Sequence, residues 1–390
     1  MSFTESDERR ALRSAAAELG RRYGHEYYLT QARSGGKLTE LWREAGQLGF
    51  LGVNLPERYG GGGAGMYELA IVLEELAAAG CGLLMMVVVS PAICGTIIAR
   101  FGTDAQQQHW LPGLASGSAI MAFGITEPDA GSNSHRLATV AERDGDQWVL
   151  SGRKVFISGV DEADAVMIVG RTADARTGRL RPALFAVPTD AKGFTFRPVE
   201  MELVSPEQQF LLFLDEVRLP ADALVGKPDA GLMQLFAGLN PERIMASAMA
   251  IGTGRYALDK AVSYVRERTV WDVPIGAHQG IAHPLAQVKI ELELARLMMQ
   301  KAATLQDGNA DGGTDQAAGE AANMAKYAAA EASVRAVDQA VQSLGGNGLT
   351  REYGVASLLA LSRTTRIAPV SREMILNFVA QNSLGLPKSY

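Results

Sequence analysis

Apolar residues recur at helical spacing in the C-terminal region of the chain, where they form three stripes. The stripes comprise Ile244, Ile251, Leu258, Val262 and Val265, then Leu285, Val288, Leu292 and Met299, and finally Val334, Val337, Val341 and Leu344. This spacing follows the 3.6-residue turn and predicts helices that each bury one face. Asn240-Pro241 and Pro284 indicate two helix starts, and Gly345-Gly346 indicate a helix end.

The N-terminal region is also predicted to be helical. Thr4 can cap a first helix whose opening turn carries Asp7 and Glu8. The stretch 76–99 carries no charge and is long enough to span a bilayer. Because it contains several glycines and a proline, two buried helices joined at Ser90-Pro91 are predicted there instead of a membrane span.

Between about residues 119 and 222 the pattern changes to short runs rich in Val, Phe and Leu, such as "ADAVMIVGR", "ALFAVP" and "FLLFLDEVRLP". Such runs suit strands, and a hairpin is predicted around Ser151-Gly152. No long helix interrupts them, which favours a small antiparallel barrel or sandwich over a βαβ fold. The predicted domains are 1–118, 119–222 and 223–390, and the last contains a predicted loop at 307–315.

Composition and motifs exclude several classes of function. The formal net charge of −6 argues against nucleic acid as a partner, because that binding depends on Lys and Arg neutralising phosphates. The charged N-terminal stretch lacks an apolar signal core, which predicts a cytoplasmic protein. Five scattered histidines predict no metal site. Motifs for a serine hydrolase, a P-loop or a Rossmann-type nucleotide site are not found either.

Four stretches contain residues that the predicted helices and strands do not require. They are the polar, glycine-rich 123–133, the segment "KVFISG" at 154–159, the helix end 343–350, and 238–252, where Glu242 is the one carboxylate in an apolar run. Backbone N–H groups in a glycine-rich turn can face a ligand carbonyl or phosphate. Each stretch taken alone is more often structural than functional.

Taken together, these stretches resemble the acyl-CoA dehydrogenase family of flavoproteins in order and spacing. "FGITEPDAGS" resembles that family's flavin and substrate loop, and "GDQWVLSGRKVFIS" its next strand pair. "RERTVWDVPIGAHQGI" resembles its arginine-to-glutamine flavin motif, and "QSLGGNG" its adenine-side loop. "FGTDAQQQHWLPGLASG" resembles the family's lead-in helix, so the resemblance covers nearly the whole chain.

The resemblance implies a fold and an activity. The fold is α+β, with an N-terminal helical domain, a middle antiparallel β-barrel and a C-terminal four-helix bundle. The activity is FAD-dependent α,β-dehydrogenation of an acyl-CoA thioester in fatty acid metabolism, with loss of the α-proton to a base and of the β-hydrogen to flavin N5. A homotetramer or dimer is also implied, with an electron-transfer flavoprotein as electron acceptor.

The position of the base follows from a comparison of two stretches. Most family members carry it in a Tyr-Glu-Gly-Thr-like motif near the C-terminus, and the matching stretch 366–373 has Ala368 at that position. Isovaleryl- and long-chain-like members instead place it on the long helix directly before an arginine. "LNPER" resembles that arrangement, which implies Glu242 as the base and makes Asn240 and Arg243 substrate-side residues.

A competing interpretation of Glu242 needs no chemistry. A glutamate in the first turn of a helix, just after an Asn240 cap, is stabilised by the helix dipole. This alternative predicts a lowered pKa and an exposed carboxylate. The nearest competing carboxylate, Glu373, is expected to point elsewhere.

The resemblance also implies which residues bind the cofactor. These are Phe123, Ile125, Thr126, Gly131, Ser132, Phe156, Ile157, Ser158, Arg268, Gln279, Gln342, Gly345, Gly346 and Ser371. Ser132 is expected to contact the CoA part as well, and the Ser158 hydroxyl to approach flavin N5. The residues from Arg268 to Gly346 are expected to reach FAD from a neighbouring subunit.

Two departures from the family pattern leave alternatives open. Asp272 stands where the family usually has glycine, and "APVS" replaces a Gly-Thr-Ser turn near the flavin. One alternative is a flavin oxidase or monooxygenase on the same scaffold. Another is a non-catalytic subunit of a hetero-oligomeric acyl-CoA dehydrogenase, which would purify without FAD.

Overall fold

The computed structural model describes residues 5–82, 84–174, 177–228, 231–308 and 316–388. The N-terminal domain is helical, with α1 (Asp7–Ser34), α2 (Thr39–Gln47), α3 (Met66–Leu76), α4 (Met85–Val87), α5 (Thr96–Phe101) and α6 (Asp104–Ser116). α1 begins after Ser6, whose hydroxyl accepts a hydrogen bond from the Arg9 N–H at 3.3 Å. Thr4, the predicted cap, lies outside the described residues.

The uncharged stretch 76–99 bends at a different place from the one predicted. It contains two π-helical segments, Ala77–Cys81 and Val88–Gly95, and the chain turns at the end of the first, at Gly80 and Gly82. Pro91 lies inside the second π-helical segment, so the predicted junction at Ser90-Pro91 is wrong. The φ angles of 94° at Gly80 and 55° at Gly82 favour glycine, which explains why the turn is there. None of the described helices has the length and apolar character needed to cross a membrane.

The central domain is one eight-stranded sheet. Its strands are β1 (Met121–Gly124), β2 (Val140–Asp144), β3 (Gln147–Ser158), β4 (Ala165–Ala173), β5 (Leu180–Pro188), β6 (Phe194–Val199), β7 (Gln209–Pro220) and β8 (Leu224–Val225). They are ordered β6-β7-β3-β2-β4-β5-β8, and β1 pairs with β4.

The predicted antiparallel barrel needs two corrections. β1 and one residue of β2 pair with β4 in parallel, so the sheet is mixed. The composition of a single run predicts a strand but not the direction of its neighbour, so the parallel pairing could not be predicted from these runs. The recorded pairings form a path with β6 and β8 at its ends, and a closed barrel is not shown within the described residues.

The hairpin predicted at Ser151-Gly152 is also wrong. β3 continues through these residues. The turn lies earlier in the chain, between β2 and β3, where Asp144 pairs with Gln147. A register shift against β7 falls between Leu150 and Gly152. A Cβ at Gly152 would lie 2.3 Å from the Thr139 Oγ1, so this glycine allows close packing within a strand and does not form a turn.

The C-terminal domain is helical and contains three long helices. It comprises α7 (Gly231–Glu267), a hairpin of β9 (Thr269–Val270) and β10 (Val273–Pro274), α8 (Gln279–Asp307), α9 (Gln316–Leu344), α10 (Leu358–Ile367) and α11 (Arg372–Phe378). The helix end predicted at Gly345-Gly346 is confirmed, because α9 ends at Leu344. The finer expectation of a four-helix bundle stays a prediction. Most of the loop predicted over 307–315 lies outside the described residues.

Both helix starts predicted from proline are wrong. α7 begins at Gly231 and α8 at Gln279, so Pro241 and Pro284 lie inside helices. In α7 the extra turns bury Leu235 and Ala237, and a Cβ at Gly238 would lie 2.7 Å from the Ile97 side chain. Burial against the N-terminal domain therefore outweighs the hydrogen bond that Pro241 cannot make.

Candidate functional site

A buried lysine joins two of the stretches that were singled out in the sequence. The Lys154 ammonium is fully buried and donates hydrogen bonds to Ile125 O at 3.0 Å, Glu127 Oε1 at 2.9 Å and Val169 O at 2.7 Å. Burial lowers the pKa of Lys154 to about 8, although Glu127 opposes this shift. Val155 N also donates to Thr126 O at 2.9 Å. These hydrogen bonds hold the loop after β1 against the end of β3.

The end of β3 carries an unusual aromatic residue. A second register shift against β7 falls between Lys154 and Ile157, and Phe156 in this bulge has a φ of 58°. A positive φ is costly for a bulky side chain and often marks a functional position. The ring points outward here: Phe156 is 55% exposed, whereas the next residue, Ile157, is buried. The exposed ring offers a flat surface beside the loop 125–132.

The Ser158 hydroxyl lies at the buried end of the same strand. It is hydrogen-bonded to the Gln209 side chain, with 2.9 Å between Gln209 Nε2 and Ser158 Oγ. Gln209 was not predicted from the sequence, and its place opposite Ser158 in the β3–β7 register follows only from strand pairing. Phe123 and Ile157 are buried nearby, whereas Gly131 and Ser132 lie in the exposed part of the loop.

A second group of predicted cofactor residues lies in the C-terminal domain. Arg268, Gln279, Gln342, Gly345 and Gly346 are all exposed. Within the described residues, no hydrogen bond or ion pair connects them to the stretches 123–132 and 154–158 of the same chain. This separation is compatible with contact to a cofactor bound by another copy of the chain.

The two parts of this second group are brought together by residues that sequence analysis did not identify. Asn347 Nδ2 donates a hydrogen bond to the Tyr264 hydroxyl at 3.0 Å, and Tyr264 O accepts from Arg268 N at 2.9 Å. The helix end 345–349 therefore lies beside the start of the β9–β10 hairpin. The turn of this hairpin has positive φ at both Trp271 (51°) and Asp272 (64°).

The turn explains one departure from the family pattern. Aspartate adopts positive φ more readily than most residues, so Asp272 can occupy a position for which glycine is the usual choice. Trp271 precedes it and is 83% exposed at the tip of the hairpin.

Glu242 lies inside helix α7, not in its first turn. Asn240 is therefore not a helix cap, and its Oδ1 accepts a hydrogen bond from Arg243 Nη1 at 3.1 Å. Arg243 Nη1 also donates to Leu239 O at 3.1 Å, while its buried Nε has no partner among the described residues. Asn240 and Arg243, the two predicted substrate-side residues, are thus in contact.

The environment of Glu242 contradicts the alternative interpretation, in which Glu242 is only a first-turn glutamate stabilised by the helix dipole. The side chain is half-buried, and burial raises the pKa of Glu242 to about 7, although Arg243 and Lys326 lower it. Burial and the Glu242 charge in turn raise the pKa of the buried Cys94 thiol in the segment Val88–Gly95. The predicted lowered pKa and exposed carboxylate are both wrong. A carboxyl group that titrates near neutrality is suited to proton transfer.

The turn that contains Ala368 lies against α9. The Lys326 ammonium on α9 donates to Val370 O at 2.5 Å. Ser371 caps α11, since its Oγ accepts from Met374 N at 3.3 Å, which gives this predicted cofactor residue a structural role of its own. No carboxylate stands at position 368, so this turn supplies no base.

No group of three or more His, Cys, Asp or Glu side chains that could hold a metal is found in the part of the chain that is described. A cavity of about 690 Å³ lies between α7, α8 and β10, where Leu258, Val262 and Leu285 contribute to its wall. The residues around Glu242 are not part of this wall.

Comparisons with known proteins agree with this geometry. Family models described as the N-terminal, middle and C-terminal domains of acyl-CoA dehydrogenase match residues 6–118, 122–208 and 229–384. The chain is 69% identical over 389 residues to acyl-CoA dehydrogenase FadE12 of Mycobacterium tuberculosis, covering 100% of this chain and 99% of that protein.

Two solved structures are similar over almost the whole chain. A glutaryl-coenzyme A dehydrogenase in complex with glutaryl-CoA is 30% identical, with a TM-score of 0.93 and coverage of 100% of this chain and 98% of its own. A glutaryl-CoA dehydrogenase from Mycobacterium smegmatis in complex with FADH2 is 28% identical, with a TM-score of 0.90 and coverage of 99% of this chain and 96% of its own.

Proposed function

Because this chain belongs to the acyl-CoA dehydrogenase family, an oxidoreductase family, we propose that it removes two hydrogens from the α and β carbons of an acyl-CoA thioester. The observation that carries this proposal is the half-buried Glu242 carboxyl. Burial raises its pKa to about 7, although the nearby cations Arg243 and Lys326 act in the opposite direction. A base is required at this site, and Ala368 cannot supply it.

Glu242 acts as the α-proton base in this proposal. The α-proton of a thioester is weakly acidic, so the base must be ionised at working pH and still hold the proton once it is removed. Burial gives Glu242 this intermediate basicity, and Arg243 together with Lys326 keeps the ionised form accessible. Hydrogen bonds to the thioester oxygen must stabilise the developing enolate. The Asn240–Arg243 pair fixes the helix surface next to the base.

The cofactor is FAD, which when bound supplies the flavin N5 that accepts the β-hydrogen as hydride. Two features of the chain suit it. The outward ring of Phe156 and the backbone of 125–132 form an aromatic and polar surface. The buried Lys154 holds this surface in place through its hydrogen bond to Ile125 O. The FADH2 complex of a 28% identical relative supports the same cofactor. The other cofactor residues proposed are Phe123, Ile125, Thr126, Gly131, Ser132, Ile157, Ser158, Arg268, Gln279, Gln342, Gly345, Gly346 and Ser371.

We propose a homo-oligomer, a tetramer or a dimer, because no hydrogen bond or ion pair among the described residues joins the two groups of cofactor residues within one chain. The exposed residues from Arg268 to Gly346 contact the cofactor of a neighbouring copy in this proposal. An electron-transfer flavoprotein is proposed as the acceptor that reoxidises the enzyme.

Anaerobic mixing with a panel of acyl-CoA esters of different length and branching tests the proposed function. We expect the purified protein to carry FAD and its flavin absorbance to bleach with at least one ester. Rapid oxygen consumption on admission of air would favour an oxidase or monooxygenase. A colourless protein that binds no FAD would favour a non-catalytic subunit.

The rate of flavin reduction is expected to depend on pH through Glu242. The carboxylate is the active form of a base, and its pKa is raised from 4.5 to about 7. The second-order rate constant at limiting substrate, which reports the pKa of the substrate-free enzyme, should therefore rise with pH through an apparent pKa near 7 and level off above it. Stopped-flow measurements between about pH 5.5 and 8.5 would show this. A rate that is flat over this range would contradict the assignment of the base.

A further inference from the structure

Lys326 is a buried cation that the proposed reaction does not itself require. Its side chain is 1% exposed, on the face of α9 that packs against α7. Burying an ammonium group is costly unless nearby groups compensate for it, so its presence here needs a reason.

The position of the ammonium group links the base helix to the turn 368–371. It donates to Val370 O at 2.5 Å, and Glu242 and Arg243 on α7 are close enough to change its pKa. Two helical turns earlier on α9, Gly319 lies against the Asn240 side chain, since a Cβ there would be 3.7 Å from it. α9 therefore packs against α7 beside Asn240, two helical turns before Lys326.

A second contact on α9 holds the same turn from its other side. Glu331 receives two hydrogen bonds from Arg366, at 2.8 and 3.0 Å, and lies 3.4 Å from Arg372. Arg366 and Arg372 flank the turn directly before and after it. Because the Glu331 contacts anchor both flanks, the turn does not depend on Lys326 alone for its position.

We propose that Lys326 is a positioning residue for the proposed base: its buried ammonium, held by the Val370 carbonyl of the 368–371 turn on the helix that packs against α7, favours the charged form of the Glu242 carboxyl. This inference rests on the proposed function. It assigns to α9 a contribution to proton transfer that residues of α7 alone do not supply. The Val370 carbonyl directs the ammonium, and the cation stabilises the charge that the Glu242 carboxylate carries before it takes a proton.

The charges around the pair support this division of roles. Burial and Arg243 lower the pKa of Lys326 to about 8, although Glu242, Glu331 and Glu373 act in the opposite direction. Glu242 and Lys326 thus affect each other, and the pair titrates as a coupled unit. At neutral pH the ammonium form dominates, and this is the form that favours the carboxylate.

Three variants separate charge from hydrogen bonding. Lys326→Gln keeps a donor for Val370 O and loses the charge, Lys326→Met loses both, and Lys326→Arg keeps the charge. With FAD bound, we expect Gln and Met to move the rising limb of flavin reduction to higher pH by about one unit, a tenfold lower rate below the limb. Lys326→Arg, which keeps the charge, should leave the limb close to its wild-type position. The exposed Lys301→Gln is a matched control with an unchanged limb.

A direct readout makes the test independent of turnover. The infrared carboxyl band that disappears in Glu242→Gln reports protonation of Glu242, and its midpoint should move upward in Lys326→Gln. A wild-type midpoint in Lys326→Gln would overturn the role of Lys326, whatever the substrate. Normal flavin reduction by Glu242→Gln would refute Glu242 as the base and with it the positioning role, whereas a shifted midpoint in Lys326→Gln would still show that Lys326 acts on the charge of Glu242.

Discussion

Glu242→Gln is expected to retain FAD and to lose reduction of the flavin by acyl-CoA. Glutamine has nearly the same shape and fits the same half-buried position, but it cannot accept a proton. Removing a general base typically lowers a rate by about 10²- to 10⁴-fold. No other carboxylate stands at position 368 to take over, because the residue there is Ala368. Anaerobic stopped-flow reduction at pH 8, where wild-type Glu242 is ionised, gives the rate ratio.

Glu373→Gln is the matched control for this experiment. Glu373 is the nearest competing carboxylate in the sequence comparison, and its side chain is 73% exposed beside Arg372. We expect flavin reduction by this variant to stay within about twofold of the wild-type rate, since surface substitutions away from a site have small effects. Loss of activity in Glu373→Gln, with normal rates in Glu242→Gln, would transfer the role of base from α7 to α11.

Arg255→Met is expected to destabilise the fold strongly. Arg255 Nη1 lies 2.6 Å from Glu74 and 2.7 Å from Glu75, two carboxylates that are almost fully buried on α3. Arg13 and Arg296 complete the cluster, at 2.5 Å from Glu75 and 3.2 Å from Glu74. Glu5 belongs to the cluster as well, at 2.5 Å from Arg13 and 3.9 Å from Arg296, so three carboxylates face three cations. Removing one cation leaves a negative charge in excess, which typically costs about 3–5 kcal/mol in a buried cluster. We expect a melting temperature lower by several degrees and a lower urea midpoint.

An exposed ion pair provides the comparison for Arg255. Arg218 lies 2.7 Å from Asp144, and both side chains are more than half exposed. Such surface pairs contribute about 0–1 kcal/mol, so Arg218→Met should leave the melting temperature nearly unchanged. Equal destabilisation by the two variants would show that Arg255 in the buried cluster contributes no more to the free energy of unfolding than Arg218 in an exposed ion pair.

The order of helices, strands and helices could be read from the sequence because it depends on local periodicity. The stripe Leu285, Val288, Leu292 and Met299 is buried along α8, and the glycines after Leu344 end α9. Motif order was equally informative, since several short resemblances in sequence implied a family that the comparisons then showed. The residues proposed for the site were named from the same motifs, and their roles stay predictions.

Long-range packing decided the features that local signals misplaced. Asn240-Pro241 has the composition of a helix start, yet α7 begins at Gly231, because the preceding apolar turns are buried against Ile97. Ser151-Gly152 has the composition of a turn, yet Gly152 lies within β3 where Thr139 packs closely. Capping and turn signals report only neighbouring residues, whereas burial depends on segments far away in the chain.

The chain order alone identified Glu242 as the carboxylate to consider and Ala368 as the position without one. It could not specify the basicity of that carboxylate. This property arises from burial and from charges that folding brings to α7, above all Lys326 on α9. Electrostatic energy depends on distance through space and on exclusion of water, and neither is written in the spacing of residues along the chain.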